Sequence, residues 1–444
     1  MRSSTSSVAI VGAGLAGSEA ALVLARKGIP VTVFEMRPGR MTPAHKTDKP
    51  AELVCSNSLK SDELPTAPGI LKAELAMLGS PLLTAARKYR VPAGTALAVD
   101  REKFSREIHE QISSHPLITL QRRECTRPPE DFQYCILTAG PLVSESLTEW
   151  LQKTFSVDSL HFYDAIAPII SADSVNENKA FYASRYGKGS DDYCNCPFTE
   201  EEYRVFYDAV IAADKVKRHD FEQEHFFEAC LPIEVIAQRG YTALPFGAMR
   251  PVGLINPHTG ERPFAVCQLR KENAAGESLN MVGFQTRMTV GEQKRVLRLI
   301  PGLEHAEFLR FGSIHRNTYL QSPALLETDF SFRKKRSLFL AGQLCGNEGY
   351  TESIATGHLV ALFCWLRLTK KVVLPPPPTT ACGALLKHIT QSAEKKFTPS
   401  NCNFGLFEPL PLSEKRKPKK KEKRLLMCER ALQEMKLWIT EILK

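Results

Sequence analysis

Near its start the chain carries its apolar residues in short unbroken runs. Val8-Ala9-Ile10-Val11 is one run and Val31-Thr32-Val33-Phe34 a second, with a helix-like stretch between them. That pattern predicts two strands of a parallel sheet joined by a helix. The first run enters Gly12-x-Gly14-x-x-Gly17, with Ala13, Leu15 and Ala16 in the open positions, and the second ends at Glu35. Tyr134–Thr138 reads as a further strand running into Ala139-Gly140-Pro141. Ser337–Ala341 is another strand, followed by Gly342 and a helix predicted over Tyr350–Leu362. Between these ends the pattern changes to short apolar runs, many aromatics and Gly-Pro turns, which reads as an inserted α+β domain. Pro375–Pro378 then breaks the chain. In the tail, Leu425, Leu432, Met435, Ile439 and Ile442 fall at helical spacing, a stripe expected to pack onto the body of the protein.

The expected fold class is α/β: a Rossmann-like, two-part FAD-binding domain of the glutathione-reductase type with an inserted α+β domain. The expected divisions are 1–150 and 319–374 for the two parts of the FAD domain, 151–318 for the insert, and 375–444 for a C-terminal segment.

Composition narrows the function classes. None of the apolar runs approaches the roughly 18 residues of a membrane helix, and the polar start MRSSTSS lacks a signal peptide's hydrophobic region. Twelve cysteines without regular spacing read as the reduced thiols of a cytoplasmic protein. Cys194-x-Cys196 is too tight for a zinc site and has no second pair, so it is assigned a structural role and no metal is expected. The net charge of +9 suggests a polyanionic partner, and eight of the ten residues from Lys415 to Arg424 are basic. Such a run is usually a solvated stretch; beside an RNA-processing site it would tether phosphates.

The glycine motif supplies the first chemistry. Gly12 permits a tight turn, Gly14 lets the backbone approach a pyrophosphate, and Gly17 lets the helix pack against the strand. The pyrophosphate then meets a helix N-terminus, and Glu35 can accept the ribose hydroxyls. Gly342 and Gln343 open the second strand–Gly–helix unit, where the closing half of an FAD site is expected. Two thiols stand out. Cys55 lies in the polar stretch Leu53–Ser61 with Lys60; taken alone, that stretch is a loop capping the cofactor. Cys230 precedes Pro232, which fixes a turn or a helix start; taken alone, it is a buried inert thiol. Arg185, Gln238-Arg239, Gln268, Arg270, Gln285, Arg287 and His315-Arg316-Asn317 repeat basic and amide groups through the insert, a pattern that favours a binding surface.

Together these segments resemble the folate- and FAD-dependent tRNA (uracil-5-)-methyltransferase family (TrmFO), related to GidA. The resemblance rests on VAIVGAGLAGSEAA, ELVCSNSLKSD, FEACLPIEVIAQRG, VGFQTRM, LAGQLCGNEGYTESIATGHLVA and NFGLF, and spans roughly residues 8 to 410. Cys345 and Asn347 depart from the family's pattern. The resemblance implies methylation of a tRNA T-loop uridine to ribothymidine. Methylenetetrahydrofolate would supply the carbon, and NADH or NADPH the hydride through FAD. It places the family's two functional cysteines at Cys230, expected as nucleophile on uracil C6, and Cys55, expected as proton acceptor or stabiliser. The partners implied are tRNA and folate, without a membrane; a monomer and a weak dimer both stay open. The alternatives are the same chemistry on a ribosomal RNA uridine, a flavin-dependent thiol oxidoreductase, and an RNA-binding flavoprotein without methyl transfer.

Overall fold

The computed structural model describes residues 7–156, 160–187, 191–216, 231–393, 397–411 and 419–442. Its centre is a six-stranded sheet, and strand Val8–Val11 lies in the middle of it. That strand pairs in parallel with Val31–Glu35 on one side and Tyr134–Leu137 on the other. Ile118–Arg122 extends one edge in parallel and Lys335–Leu340 the other, where Ser331–Phe332 folds back antiparallel. Strands from both ends of the chain therefore share one sheet.

Helix Leu15–Arg26 is buried from Leu15 to Ala25, because helix Tyr350–Leu368 covers the face turned away from the sheet. The two helices meet closely at Gly357, where a Cβ would overlap the Ala16 backbone. Buried Glu19 ties the helices together: Oε1 lies 2.7 Å from His358 Nδ1, while Oε2 accepts the Leu82 N–H at 3.0 Å. Helix 350–368 runs six residues beyond its expected end, as its last turns continue to bury Phe363, Cys364 and Leu366.

The C-terminal segment shares this same core. Helix Ala381–Gln391 begins against Glu74, whose carboxylate accepts the Ala381 and Cys382 N–H groups at 2.7 and 2.8 Å. Burial raises the Glu74 pKa from 4.5 to about 7, against the lowering pull of those hydrogen bonds. A raised carboxyl pKa means that the folded protein holds a proton which the unfolded chain has released. The associated stability is therefore fully present below about pH 4.5 and is lost as pH rises through about 7. The melting-temperature advantage of wild type over Glu74→Gln should accordingly shrink between pH 5 and pH 8, and a constant difference would contradict this.

The last helix, Lys420–Ile442, buries Met427, Cys428, Ala431, Met435, Trp438 and Ile442. The expected stripe is thus rotated. Met435 and Ile442 belong to it, Leu432 and Ile439 lie at its border, and Leu425 is 48% exposed.

Residues 169–310 build a second sheet, antiparallel and of six strands, around a separate core that includes Phe198, Tyr203, Phe206 and Phe284. A two-stranded ribbon, Leu160–Ile166 with Ser313–Tyr319, carries the chain into and out of it. Cys194 and Cys196 sit inside the strand Tyr193–Phe198, both buried, with Cys196 opposite Cys267. Their role there is packing.

Candidate functional site

A cleft opens at the C-terminal ends of the parallel strands, the edge where open α/β sheets bind ligands. Gly12, Gly14, Leu15 and Ala16 line its floor, and Glu35 with Arg37 closes one end. Gly342, Gln343, Tyr350 and Ser353 close the other. Gly12 has φ +103°, and a Cβ there would lie 2.8 Å from the Ala139 Cα. Gly17 is closed by contact, since a Cβ would overlap the Gly12 carbonyl oxygen. Gly14 differs: a Cβ on it meets nothing within 4 Å and would project into open space. Thr138 braces the turn by donating to the Val11 and Gly12 carbonyls at 3.0 and 2.8 Å.

Glu35 is buried, accepting from the Ala13 N–H at 2.9 Å and from Arg37 Nε at 2.9 Å. Burial alone would raise its pKa, but the bonds from Arg37 and Ala13 outweigh it and hold the carboxyl below its ordinary value. It therefore presents a carboxylate at the strand end. Neither helix 15–26 nor helix 350–368 has a side-chain cap at its N-terminus, so both leave backbone N–H groups to an anion. An acidic group at one end, an open glycine loop in the middle and two uncapped helix N-termini suit the ribose and pyrophosphate of FAD.

At the far end, Gly342 has φ +76° and donates its N–H to Thr356 Oγ1 at 3.0 Å. Gln343 Nε2 donates to Glu348 at 3.0 Å. Asn347, one of the departures from the family pattern, is buried with its amide 3.0 Å from Ser353 Oγ and 3.2 Å from Thr356 Oγ1. It fastens the second glycine loop to the helix that follows.

The Cys55 loop is held at this end. Tyr350 Oη accepts the Cys55 and Ser56 N–H groups at 2.7 and 3.2 Å. Arg101 donates to the Leu53 and Cys55 carbonyls at 2.8 and 3.3 Å, and pairs with Glu272 of the insert. Burial pushes the Tyr350 hydroxyl well above its ordinary pKa, so it stays protonated. Among the described cysteines only Cys55 and Cys125 are not fully buried. Cys125 lines the cleft beside Glu35, and burial raises its thiol.

Cys230 lies outside the described residues. The chain resumes at buried Leu231, and Pro232 caps the short helix Ile233–Ala237, the helix start expected after it. Glu234 in that helix accepts from Thr286 Oγ1 at 3.1 Å and from the Arg287 N–H at 2.6 Å. Thr286 in turn neighbours Gly312, two residues past Arg310. Burial and then Arg101 lower the Arg310 pKa, while Cys55 and Tyr350 are near enough to oppose them. The segment that follows Cys230 is thus tied through Thr286 to Gly312, two residues past Arg310.

Several basic and amide groups of the insert are engaged in buried hydrogen bonds, while Gln238 and Arg239 are exposed. Asn57 Oδ1 accepts from Arg270 Nε and Nη2 at 3.1 and 2.8 Å, while its amide nitrogen donates to the Val99 and Lys271 carbonyls. Arg185 donates to Gln268, which donates to Asn195 at 2.8 Å. Buried donors and acceptors must be paired, and in these residues they pair with one another. Tyr350, Arg101, Thr138 and Arg310 went unnoticed in the sequence. Tyr350 enters the sequence reading only as a helix start, and none of the four belongs to a spacing pattern that marks its role.

Comparison with known proteins agrees with this architecture. The family described as glucose inhibited division protein A (GIDA) matches residues 7–371. The methylenetetrahydrofolate--tRNA-(uracil-5-)-methyltransferase TrmFO of Aquifex aeolicus is 51% identical over 434 residues, covering 98% of this chain and 96% of its own. The enzyme of that name from Myxococcus xanthus is 52% identical over 437 residues, covering 97% and 94%. Among solved structures, Aquifex aeolicus GidA superimposes with a TM-score of 0.70 at 16% identity, over 98% of this chain and 73% of that one, a likeness of fold. The chain therefore belongs to the GIDA family and, within it, to the TrmFO group of methylenetetrahydrofolate--tRNA-(uracil-5-)-methyltransferases.

Proposed function

We propose that this protein methylates C5 of a T-loop uridine in tRNA, with methylenetetrahydrofolate as carbon donor and NADH or NADPH as reductant. The observation that supports this most is the Cys55 loop, pinned by Tyr350 and Arg101 at the end of a cleft that suits FAD. FAD, when bound, relays reducing equivalents from the nicotinamide to the carbon being transferred. The chain's own residues prepare the pyrimidine. Uracil C5 is a poor nucleophile, and a thiolate adding to C6 converts the ring to an enolate that is nucleophilic at C5. Cys230 is assigned that addition. Cys55 is assigned removal of the C5 proton after the new bond forms, which frees the ring to expel the first thiolate. Tyr350 and Arg101 hold the Cys55 backbone in place, and Arg310 is assigned the stabilisation of the enolate's negative charge. Lys60, 3.4 Å from Glu352, is a further cation on the strand after Cys55.

A thiol oxidoreductase fits less well, because the closely spaced pair Cys194/Cys196 is buried in the insert and lines no part of the cleft. No helix among the described residues is long and apolar enough to cross a membrane, and the proposed setting is the cytoplasm. The test is to incubate the protein with FAD, reduced nicotinamide and methylenetetrahydrofolate, with unmodified tRNA in one reaction and unmodified ribosomal RNA in another, and to analyse the nucleosides by mass spectrometry. Ribothymidine in the T-loop is expected. Methylation of ribosomal RNA alone would redirect the substrate assignment, and methylation of neither RNA would overturn the proposal.

A further inference from the structure

The run from Lys415 to Arg424 carries eight cations and one anion, a net +7 out of +9 for the whole chain. Its described part, Lys419–Arg424, begins the last helix. Every residue from Lys419 to Leu426 is exposed, and burial against the body starts only at Met427. The helix therefore extends about two turns beyond its support. Those turns oppose the rules of helix electrostatics. Lys420, Lys421, Lys423 and Arg424 crowd the positive end of the macrodipole, with Glu422 the one acidic residue in the first turn. Lys420 and Arg424 repel at i,i+4, as do Lys420 with Lys423 and Lys421 with Arg424 at i,i+3. The like charges along these turns oppose one another with little burial to offset them, and a polyanion lying along them would relieve the repulsion.

Its position connects it to the site. The Arg424 guanidinium lies over the Phe404 ring, 5.4 Å from the centroid. Two residues earlier, the Cys402 N–H donates to Glu352 Oε1 at 3.0 Å, the same oxygen that accepts from Lys60 Nζ. Lys60 follows Cys55 by five residues, and Glu352 follows Tyr350 by two.

We propose that Lys419–Arg424 forms an arm that grips the phosphate backbone of the tRNA whose uridine is being modified. The arm rests on the function proposed above and names a contact surface for that substrate. Phosphates neutralised by Lys and Arg release counterions, so the arm should appear as salt dependence.

The test measures the affinity of the full-length, flavin-loaded protein for unmodified tRNA across a salt series. The comparison is with a variant carrying Lys419→Gln, Lys420→Gln, Lys421→Gln, Lys423→Gln and Arg424→Gln. Gln keeps helix propensity and removes charge. The variant should bind tRNA on the order of tenfold more weakly or worse, with a log–log salt slope shallower by about three to four. A second variant with the four lysines changed to arginine should retain wild-type affinity and slope. Equal affinity and slope in the Gln variant would overturn the arm. So would arm-dependent binding to phosphatidylserine-containing vesicles with tRNA affinity untouched, since that would make the partner a membrane surface. If tRNA binding depends on the arm but no ribothymidine forms, the arm stands and the catalytic assignment fails. If ribothymidine forms with arm-independent binding, the reverse holds.

Discussion

Cys230→Ala is expected to lower the rate of ribothymidine formation by on the order of 10⁴-fold or more, the usual result of deleting a covalent nucleophile. Flavin content should be unchanged, because no contact in the cleft involves that residue's neighbours Leu231 and Pro232. Cys55→Ala should also be severely impaired, by about 10²- to 10⁴-fold if the thiol acts as a proton acceptor. The two variants can be told apart with tRNA containing 5-fluorouridine, from which the C5 substituent cannot leave as a proton. Wild type and Cys55→Ala should form a covalent adduct that survives denaturation, and Cys230→Ala should not. An adduct in Cys230→Ala and none in Cys55→Ala would exchange the two roles. Normal turnover in both variants would remove thiol chemistry from the proposal.

The second large effect separates two glycines three residues apart. Gly14→Val should leave the fold intact, since a side chain there meets no protein atom within 4 Å. It should nevertheless weaken FAD binding by at least about a thousandfold, roughly 4 kcal/mol, because the added group fills the space beside the pyrophosphate path. Gly17→Val should instead damage the protein itself. Its Cβ would overlap the Gly12 carbonyl oxygen, forcing helix and strand apart at a cost of about 3 kcal/mol or more. Purification of Gly14→Val as a stable, colourless protein and of Gly17→Val in low, heat-labile yield is the expected outcome. A yellow Gly14→Val protein would mean that the cofactor lies elsewhere.

The contrast also marks what the sequence could disclose. The glycine spacing, the strand pattern and Glu35 identified the first half of the sheet, because period and turn chemistry are local properties. Strand Lys335–Leu340 and the glycine loop after it were legible for the same reason. The Asn57–Arg270 and Arg101–Glu272 links were not, because they join residues 213 and 171 positions apart with no shared pattern. Nor did the sequence separate the insert's buried hydrogen-bonded residues, such as Arg270 and Gln268, from exposed ones such as Gln238 and Arg239, because both settings use the same residue types. The tail helix erred by rotation. Its apolar positions allowed more than one stripe, and the body at helix Ala67–Met77 selected the one containing Trp438 and Cys428, leaving Leu425 in solvent.

The order of strands in the central sheet has a consequence for biosynthesis. Residues 8–35 supply the middle strand and one wall of the cleft, and they are made before the insert. The opposite wall, Gly342 to Ser353, emerges only after the entire insert has been made. Helix 15–26 must wait just as long for Gly357 to cover it. Flavin capture is therefore a late step in the life of the nascent chain, and a truncated product ending before that point cannot be rescued by adding cofactor.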